Sequence, residues 1–247
     1  MIKYLCLAFS LFLSCALIAQ SFVINVSEDV AYQMGKDKVR KSLEIIYAPL
    51  AIKPTLVFIP SRRGLSLLNR GEIDADAGRI DSAMISYENV LQVPYPLSTI
   101  RLFIYCIRPD DCMLSEGAEH LIVKGTVISE LYCKKRRLKC NIVANDVSAF
   151  SALAKGFAPT LIANDRFSVG TLCASKIEEI YAKPLTGVLK AYHYVHKKHA
   201  DLVPKLTESI TALMSRNILQ NSFQSLTDTA SACGVKLTIM ENMTLSE

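Results

Sequence analysis

The sequence predicts a mixed α/β protein built as two lobes around a shared crevice. Three observations carry that prediction. Apolar strand-like runs alternate with helix-like segments, which is the rhythm of a largely parallel sheet with helices on its faces. The alternation begins again about halfway along the chain. And one pattern is written twice: "LLNRGEIDADAGRI" at residues 67–80 and "SALAKGFAPTLIAND" at residues 151–165 each place a helix, a glycine stop and a strand that finishes beside charged residues. Leu68-x-x-Gly71 and Leu153-x-x-Gly156 lie 85 residues apart. In open α/β sheets the ends of such strands face the crevice where ligands sit.

Taken in order, residues 21–27 alternate as a buried first strand. Residues 37–50 carry Val39, Leu43, Ile46 and Leu50 at helical spacing, and this helix should end before Pro54. Residues 54–60 form a second strand closed by Pro60. A short helix follows over 61–70, with Ser61 as the expected N-cap and Gly71 suited to the left-handed position after it. Residues 73–78 are a third strand, and residues 99–107 a long apolar one. The second round reads as a strand or strand pair at 120–128, a helix at 129–138, a strand at 140–144, a helix at 146–156 and a strand at 158–164. Beyond it, Leu202, Leu206, Ile210, Leu213 and Leu219 keep helical spacing without a clear new sheet. That helical region is expected to pack back on the first lobe.

The 247 residues suffice for one large or two modest domains. Residues 1–19 have the layout of a secretory signal peptide: Lys3, then an apolar run over 4–18 broken by Ser10 and Ser14, then Ala19-Gln20. The run is short for a membrane span. Cleavage is expected after Ala19, with lipidation at Cys15 as the alternative, so the address is an exported, periplasmic one. Cys6 and Cys15 leave with that segment. Cys106, Cys112, Cys133, Cys140, Cys173 and Cys233 remain. An even number in an exported chain argues for disulfides. Proximity favours Cys106–Cys112 and Cys133–Cys140, which leaves Cys173–Cys233. Zinc-type CxxC spacing is absent. The formal charge of +5 is mild. Its densest run, "CKKRRLKC" at 133–140, has no interleaved aromatic residues, so no nucleic-acid partner is expected.

The ordered set of these segments resembles the periplasmic type II solute-binding proteins, specifically the amino-acid-binding family 3 of bacterial extracellular solute-binding proteins. The signal peptide, "LLNRGEIDADAGRI", the strands around "VPYPLSTIRLFIYC", "ALAKGFAPTLIAND" and "YHYVHKKHADLVPKLTESITALM" carry the resemblance over most of residues 22–225. It implies the two-lobed Venus-flytrap fold, with crossovers near 100–107 and 189–196. Lobe 1 is then expected at 22–104 plus 193–247, and lobe 2 at 105–192. It also implies a monomeric binding protein, without cofactor or metal, that captures a small polar solute of an amine-bearing, amino-acid-like kind. Its partner would be an inner-membrane permease of the ABC type or, alternatively, a sensor.

The family's carboxylate-holding Arg falls where this chain has Tyr87, Glu88 and Asn89. Arg79, at the end of the preceding strand, is the candidate substitute. Asp165 matches the position that often receives a ligand amine. Ser27, Glu28 and Tyr32 follow the first strand and are expected at the mouth of the crevice. Arg62 lies beside a helix N-terminus, which favours anions. The bland alternatives are a salt bridge from Arg79 to Asp74, Asp76 or Asp81, and a capping role for Asp165. His193, His196 and His199 recur every three residues but begin in an expected crossover strand, which does not suit a metal site. No G-x-S-x-G elbow is present, and a binding protein is expected, with an exported, lyase-like enzyme on the same fold as the lesser alternative.

Overall fold

The computed structural model describes residues 21–115, 117–167, 170–219 and 226–240. The expected signal peptide and Cys15 lie outside the described residues. None of the described helices is long and apolar enough to cross a membrane. Two sheets organise the rest. The first contains β1 (Val23–Ser27), β2 (Thr55–Ile59), β3 (Ala75–Ile80), β4 (Val90–Ile100) and β10 (Leu189–His196), in the order β2–β1–β3–β10–β4. The second contains β5 (Leu102–Cys106), β6 (Glu119–Val123), β7 (Lys139–Val143), β8 (Thr160–Asn164), β9 (Glu179–Pro184) and β11 (Lys236–Ile239), in the order β11–β9–β5–β8–β6–β7.

The two orders are the same pattern. β1 and β6 pair in parallel with β2 and β7 on one side and with β3 and β8 on the other. β3 and β8 then pair antiparallel with β10 and β5. The duplicated sequence motif is the local trace of this duplicated topology. α3 (Ser61–Asn69) leads through Gly71 into β3, and α5 (Asp146–Ala154) leads through Gly156 into β8. Both glycines are left-handed, at φ 75° and 72°, where a side chain would be strained.

Each sheet is covered on both faces. α2 (Lys36–Tyr47) turns Val39, Leu43 and Ile46 onto Ile24, Val26 and Val195, and α7 (Val203–Ser215) adds Leu206 and Ile210. α3 covers the other face with Leu65 and Leu68 against Tyr194. Tyr194 and Val195 are neighbours on β10 and point to opposite faces, as the period of a strand requires. In the second lobe Phe150 and Leu153 of α5 pack on Phe103 and Tyr105 of β5. α4 (Val127–Arg136) presents Cys133 to Leu102 and Ile162 on the opposite face. All five residues of β5 are buried, which is why this strand reads as an unbroken apolar run.

Several expectations are corrected. The strand expected over 99–107 breaks at Arg101 into β4 and β5, because there the chain leaves one sheet for the other. β4 begins at Val90 and accommodates Pro94 and Pro96 because it is an edge strand. The segment 120–128 is one strand and a turn at Gly125, with α4 starting at Val127. α1 (Glu28–Met34) is a short helix that the sequence pattern does not announce. Ser61 is the first helical residue and makes no side-chain cap; Pro60 holds the N-cap place. The C-terminal segment does not stay on the first lobe. α8 (Leu226–Ala232) and β11 belong to the second, where β11 pairs in parallel with β9 and Leu226, Ala230 and Val235 join its core.

Disulfides join Cys106 to Cys112, Cys133 to Cys140 and Cys173 to Cys233. The last ties α6 (Gly170–Ser175) to the end of α8 across 60 residues.

The passages between sheets are bonded to one another. Arg101 N donates to Asp165 Oδ1 at 3.0 Å, and Asp165 N donates to Arg101 O at 3.1 Å. Leu102 N donates to Thr186 Oγ1 at 3.2 Å, and Leu185 N donates to Leu102 O at 2.8 Å. Arg166 Nη2 donates to Thr99 O at 2.8 Å.

Two predictions follow from this scaffold. Replacing Cys173 and Cys233 together by Ser should cost about 2–4 kcal/mol, more than replacing Cys106 and Cys112, because the longer loop restricts the unfolded chain more; denaturant midpoints of the two double variants report the order. Asp165→Ala should destabilise by about 1 kcal/mol, whereas Asp165→Asn, which keeps the acceptor oxygen for Arg101 N, should be close to neutral. Equal losses for Ala and Asn would show that the carboxylate's charge, not its place as an acceptor, is what matters.

Candidate functional site

The cleft lies between the C-terminal ends of the strands of both sheets. It has two adjoining parts with shared lining residues, called inner and outer by their nearness to the passage at Arg101. An inner cavity of about 160 Å³ is lined from the first lobe by α1, α2, β3 and β4 and from the second by the start of α4 and by Asn164 and Arg166. An outer cavity of about 420 Å³ is lined by Glu28, Asp29, Tyr32 and Gln33 of α1 and, opposite, by Lys124, Gly125, Asn145 and Asp146. Asp29, Gln33, Ser61 and Thr126 line both parts and mark their junction.

Arg79 is the charged anchor of the inner part. It is only 7% exposed. Its Nη2 donates to Asp76 Oδ2 at 3.0 Å, and its buried Nε has no hydrogen-bond partner among the described residues. Asp76 is fully buried and also accepts from Asn25 Nδ2 (2.7 Å, to Oδ2) and from Gly78 N (3.2 Å, to Oδ1). Asn25 is held in turn by the closeness of α3: a Cβ on Gly64 would meet Asn25 Nδ2 at 2.2 Å. The glycine thus lets the helix approach the strand that carries the network. The salt bridge named as the bland alternative and a place in the cavity wall coexist at Arg79.

The other sequence candidates separate. Glu28 and Tyr32 line the outer part. Ser27, 2% exposed, and Asp165 are not among the residues lining either part. Asp165 is committed to the backbone of Arg101. Arg62 reaches across to Glu130 on α4 and forms an ion pair between the lobes. Its side chain is 72% exposed, so the pair contributes about 1 kcal/mol at most. Glu130 Oε1 also accepts from Gly125 N at 3.3 Å. The three histidines diverge. His193 is buried between Tyr47 and Ala77, with Nε2 accepting from Tyr47 Oη at 2.7 Å and Nδ1 donating to Ala77 O at 3.3 Å, and burial pushes its pKa down to about 4. His196 Nδ1 accepts from Lys198 N, and His199 Nε2 bonds to Asp74 Oδ1.

The sequence reading missed Asp146. It opens α5 just after the N-cap Asn145, whose Oδ1 accepts from Ser148 N at 2.8 Å. Asp146 is 5% exposed, hydrogen-bonded to Gln33 of the first lobe and close to Asp29. Burial first, and then the charge of Asp29, raise its pKa to about 6. Gln33–Asp146 and Arg62–Glu130 are thus side-chain links across the cleft. The Asn145-Asp146 pair at a helix start was the available signal, but it indicates a cap, not a burial. Arg166, Thr126 and Asn164 were likewise unmarked in the sequence.

No protein-family model and no curated protein sequence matches this chain. Solved structures do. A histidine kinase sensor domain described as similar to periplasmic binding proteins matches with a TM-score of 0.64 and 11% identity, over 82% of this chain and 94% of that one. The P235GK mutant of ArgBP from T. maritima matches with a TM-score of 0.62 and 14% identity, over 82% and 93%. The ligand-binding core of GluR0 in complex with L-glutamate matches with a TM-score of 0.61 and 11% identity, over 83% and 97%. At these identities the likeness is one of fold: the chain has the two-lobed α/β fold of the type II periplasmic binding proteins.

Proposed function

We propose that this chain is an exported, periplasmic solute-binding protein that encloses a small polar solute between its lobes and releases it when the hinge opens. The observation that carries the reading is the inner cavity, whose wall comes from both lobes and holds the buried Arg79. A solute that touches both walls favours the closed form by its differential affinity, and closure is then a hinge motion about the bonded passages at Arg101 and Leu185. Arg79 is the proposed contact for the solute's negative group. Glu28 and Tyr32 guard the outer part, Arg62 bridges to Glu130 of the other lobe, and Asp165 acts on the hinge. Delivery to an ABC-type permease is the proposed use. The likeness to a sensor domain favours, as a second reading, a module that reports solute occupancy to a signalling partner.

A direct test labels Lys38 and Lys155, exposed residues on opposite lobes, with a donor and an acceptor fluorophore after mutation to Cys. Amino acids, polyamines, small carboxylates, sugars and peptides are then added in turn. Saturable approach of the labels with at least one class is expected. A flat response from a protein that still melts cooperatively would remove the solute reading.

Acidity should stabilise the folded chain. The Asp146 pKa is raised from 3.8 to about 6, so the folded form holds the extra proton. Its contribution is full below 3.8 and is lost as pH rises through about 6. The shift of roughly two units bounds the effect at about 3 kcal/mol. Asp146→Asn should therefore gain stability relative to the unmodified chain at pH 7 and much less at pH 4, read from denaturant midpoints. An identical difference at both pH values would contradict the assignment.

A further inference from the structure

We propose that the solute held beside Arg79 is a small monocarboxylate with an apolar body and no ammonium group. The proposal rests on the solute-capture reading above and narrows it. The Arg79 guanidinium is buried, lines the inner cavity and keeps an N–H at Nε without an acceptor among the described residues. Buried donors are rarely left unmade, and a carboxylate oxygen suits a guanidinium best. Asp76 pairs with Arg79 through Nη2 alone, which leaves Nε for another acceptor. Arg166 lines the same cavity, bonded to Thr99 O and 3.9 Å from Asp165, and the one carboxylate of the lining is Asp29, at the junction with the outer part.

The remainder of the inner wall is chiefly apolar, with Leu43, Ile46 and Leu97 from one lobe and Val127 and Ile128 from the other. Its volume, about 160 Å³, is close to that of a cavity that holds benzene. An α-ammonium would sit two bonds from the carboxylate carbon, among these side chains. Asp165, the sequence candidate for receiving it, does not line the cavity and is bonded to Arg101 N. Asn164 Oδ1 already accepts from Arg166 N at 2.8 Å. Asp29, the one carboxylate of the lining, stands where the two parts meet, so an ammonium held among the apolar side chains would be stripped of water, which is costly. The acidic groups Glu28 and Asp146 belong to the outer part.

Matched compounds test the class. Benzoate and 4-methylvalerate are compared with benzylamine and isoamylamine, and with phenylalanine and leucine, by thermal shift and calorimetry on the oxidised protein. The carboxylates are expected to bind at least tenfold more tightly than the amino acids, and the amines not at all. At a hundred times its dissociation constant a carboxylate should raise the melting temperature by roughly 5–11 °C. Arg79→Lys should weaken carboxylate binding at least tenfold. Val127→Phe, which fills the cavity without touching a charge, should abolish it in a chain that melts normally, so the test survives a poorly folded Arg79 variant. Binding of amino acids or amines as tight as that of the carboxylates would overturn the class and leave solute capture standing. No binding by any of the six compounds, together with no lobe approach across the wider panel, would overturn both.

Discussion

The structure depends on how the chain passes from one sheet to the other. A backbone that leaves a sheet gives up its ladder, and its N–H and C=O groups must find new partners. At Arg101 both are met by one residue: the Asp165 side chain accepts from the amide and the Asp165 amide donates to the carbonyl. The passage at 185–188 is bonded to the first through Leu102. Two adjacent passages therefore form one narrow strap, with an intact sheet on either side. A relative motion of the lobes would concentrate there, because a few residues can absorb a change of φ and ψ that a covered sheet cannot.

From that strap follows the placing of charge. β3 and β8 both end at it, so the side chains at their ends meet where the lobes converge. Asp76 and Arg79 are buried there and would be a weak source of stability in themselves, since desolvation offsets most of their attraction. Their value lies in position: Asp76, Asn25 and Gly78 hold a guanidinium rigidly at the cavity wall. Tyr47 and His193 show the other way to bury polar atoms. Each donor there meets an acceptor, the imidazole is kept neutral, and the pair serves the core of the first lobe. Asp146 lies between these cases, buried against Gln33 of the opposite lobe and tuned by that burial.

The lobes share a topology but not a means of support. The first leans on the longer helices α2 and α7, which share a large aliphatic cluster. The second adds a sixth strand and carries all three disulfides found among the described residues. Its extra strand β11 reaches it only after the chain has served the first lobe. Lys236 and Glu179 pair across β11 and β9 at 2.7 Å, and Cys233 anchors the preceding helix.

The sequence by itself determined what near neighbours decide. Val39, Leu43 and Ile46 declare a helix by their spacing, Leu102–Cys106 declares a buried strand by its apolar run, and Gly71 and Gly156 declare the two stops that betray the repeated lobe. These signals are local because helix and strand periods are local. Tertiary structure decided the rest. Pro94 and Pro96 sit within a strand because β4 is an edge, and edges are defined by the whole sheet. "VKLTI" joined the second lobe because β9 was open on that side, and not because of anything in its own period. Asp165 became the partner of the Arg101 backbone, and Asp146 became buried against Gln33, through contacts 64 and 113 residues apart in sequence. A residue's type states which bonds it can make; which bond it makes depends on what the fold brings within 3 Å of it, and that no short stretch of sequence contains.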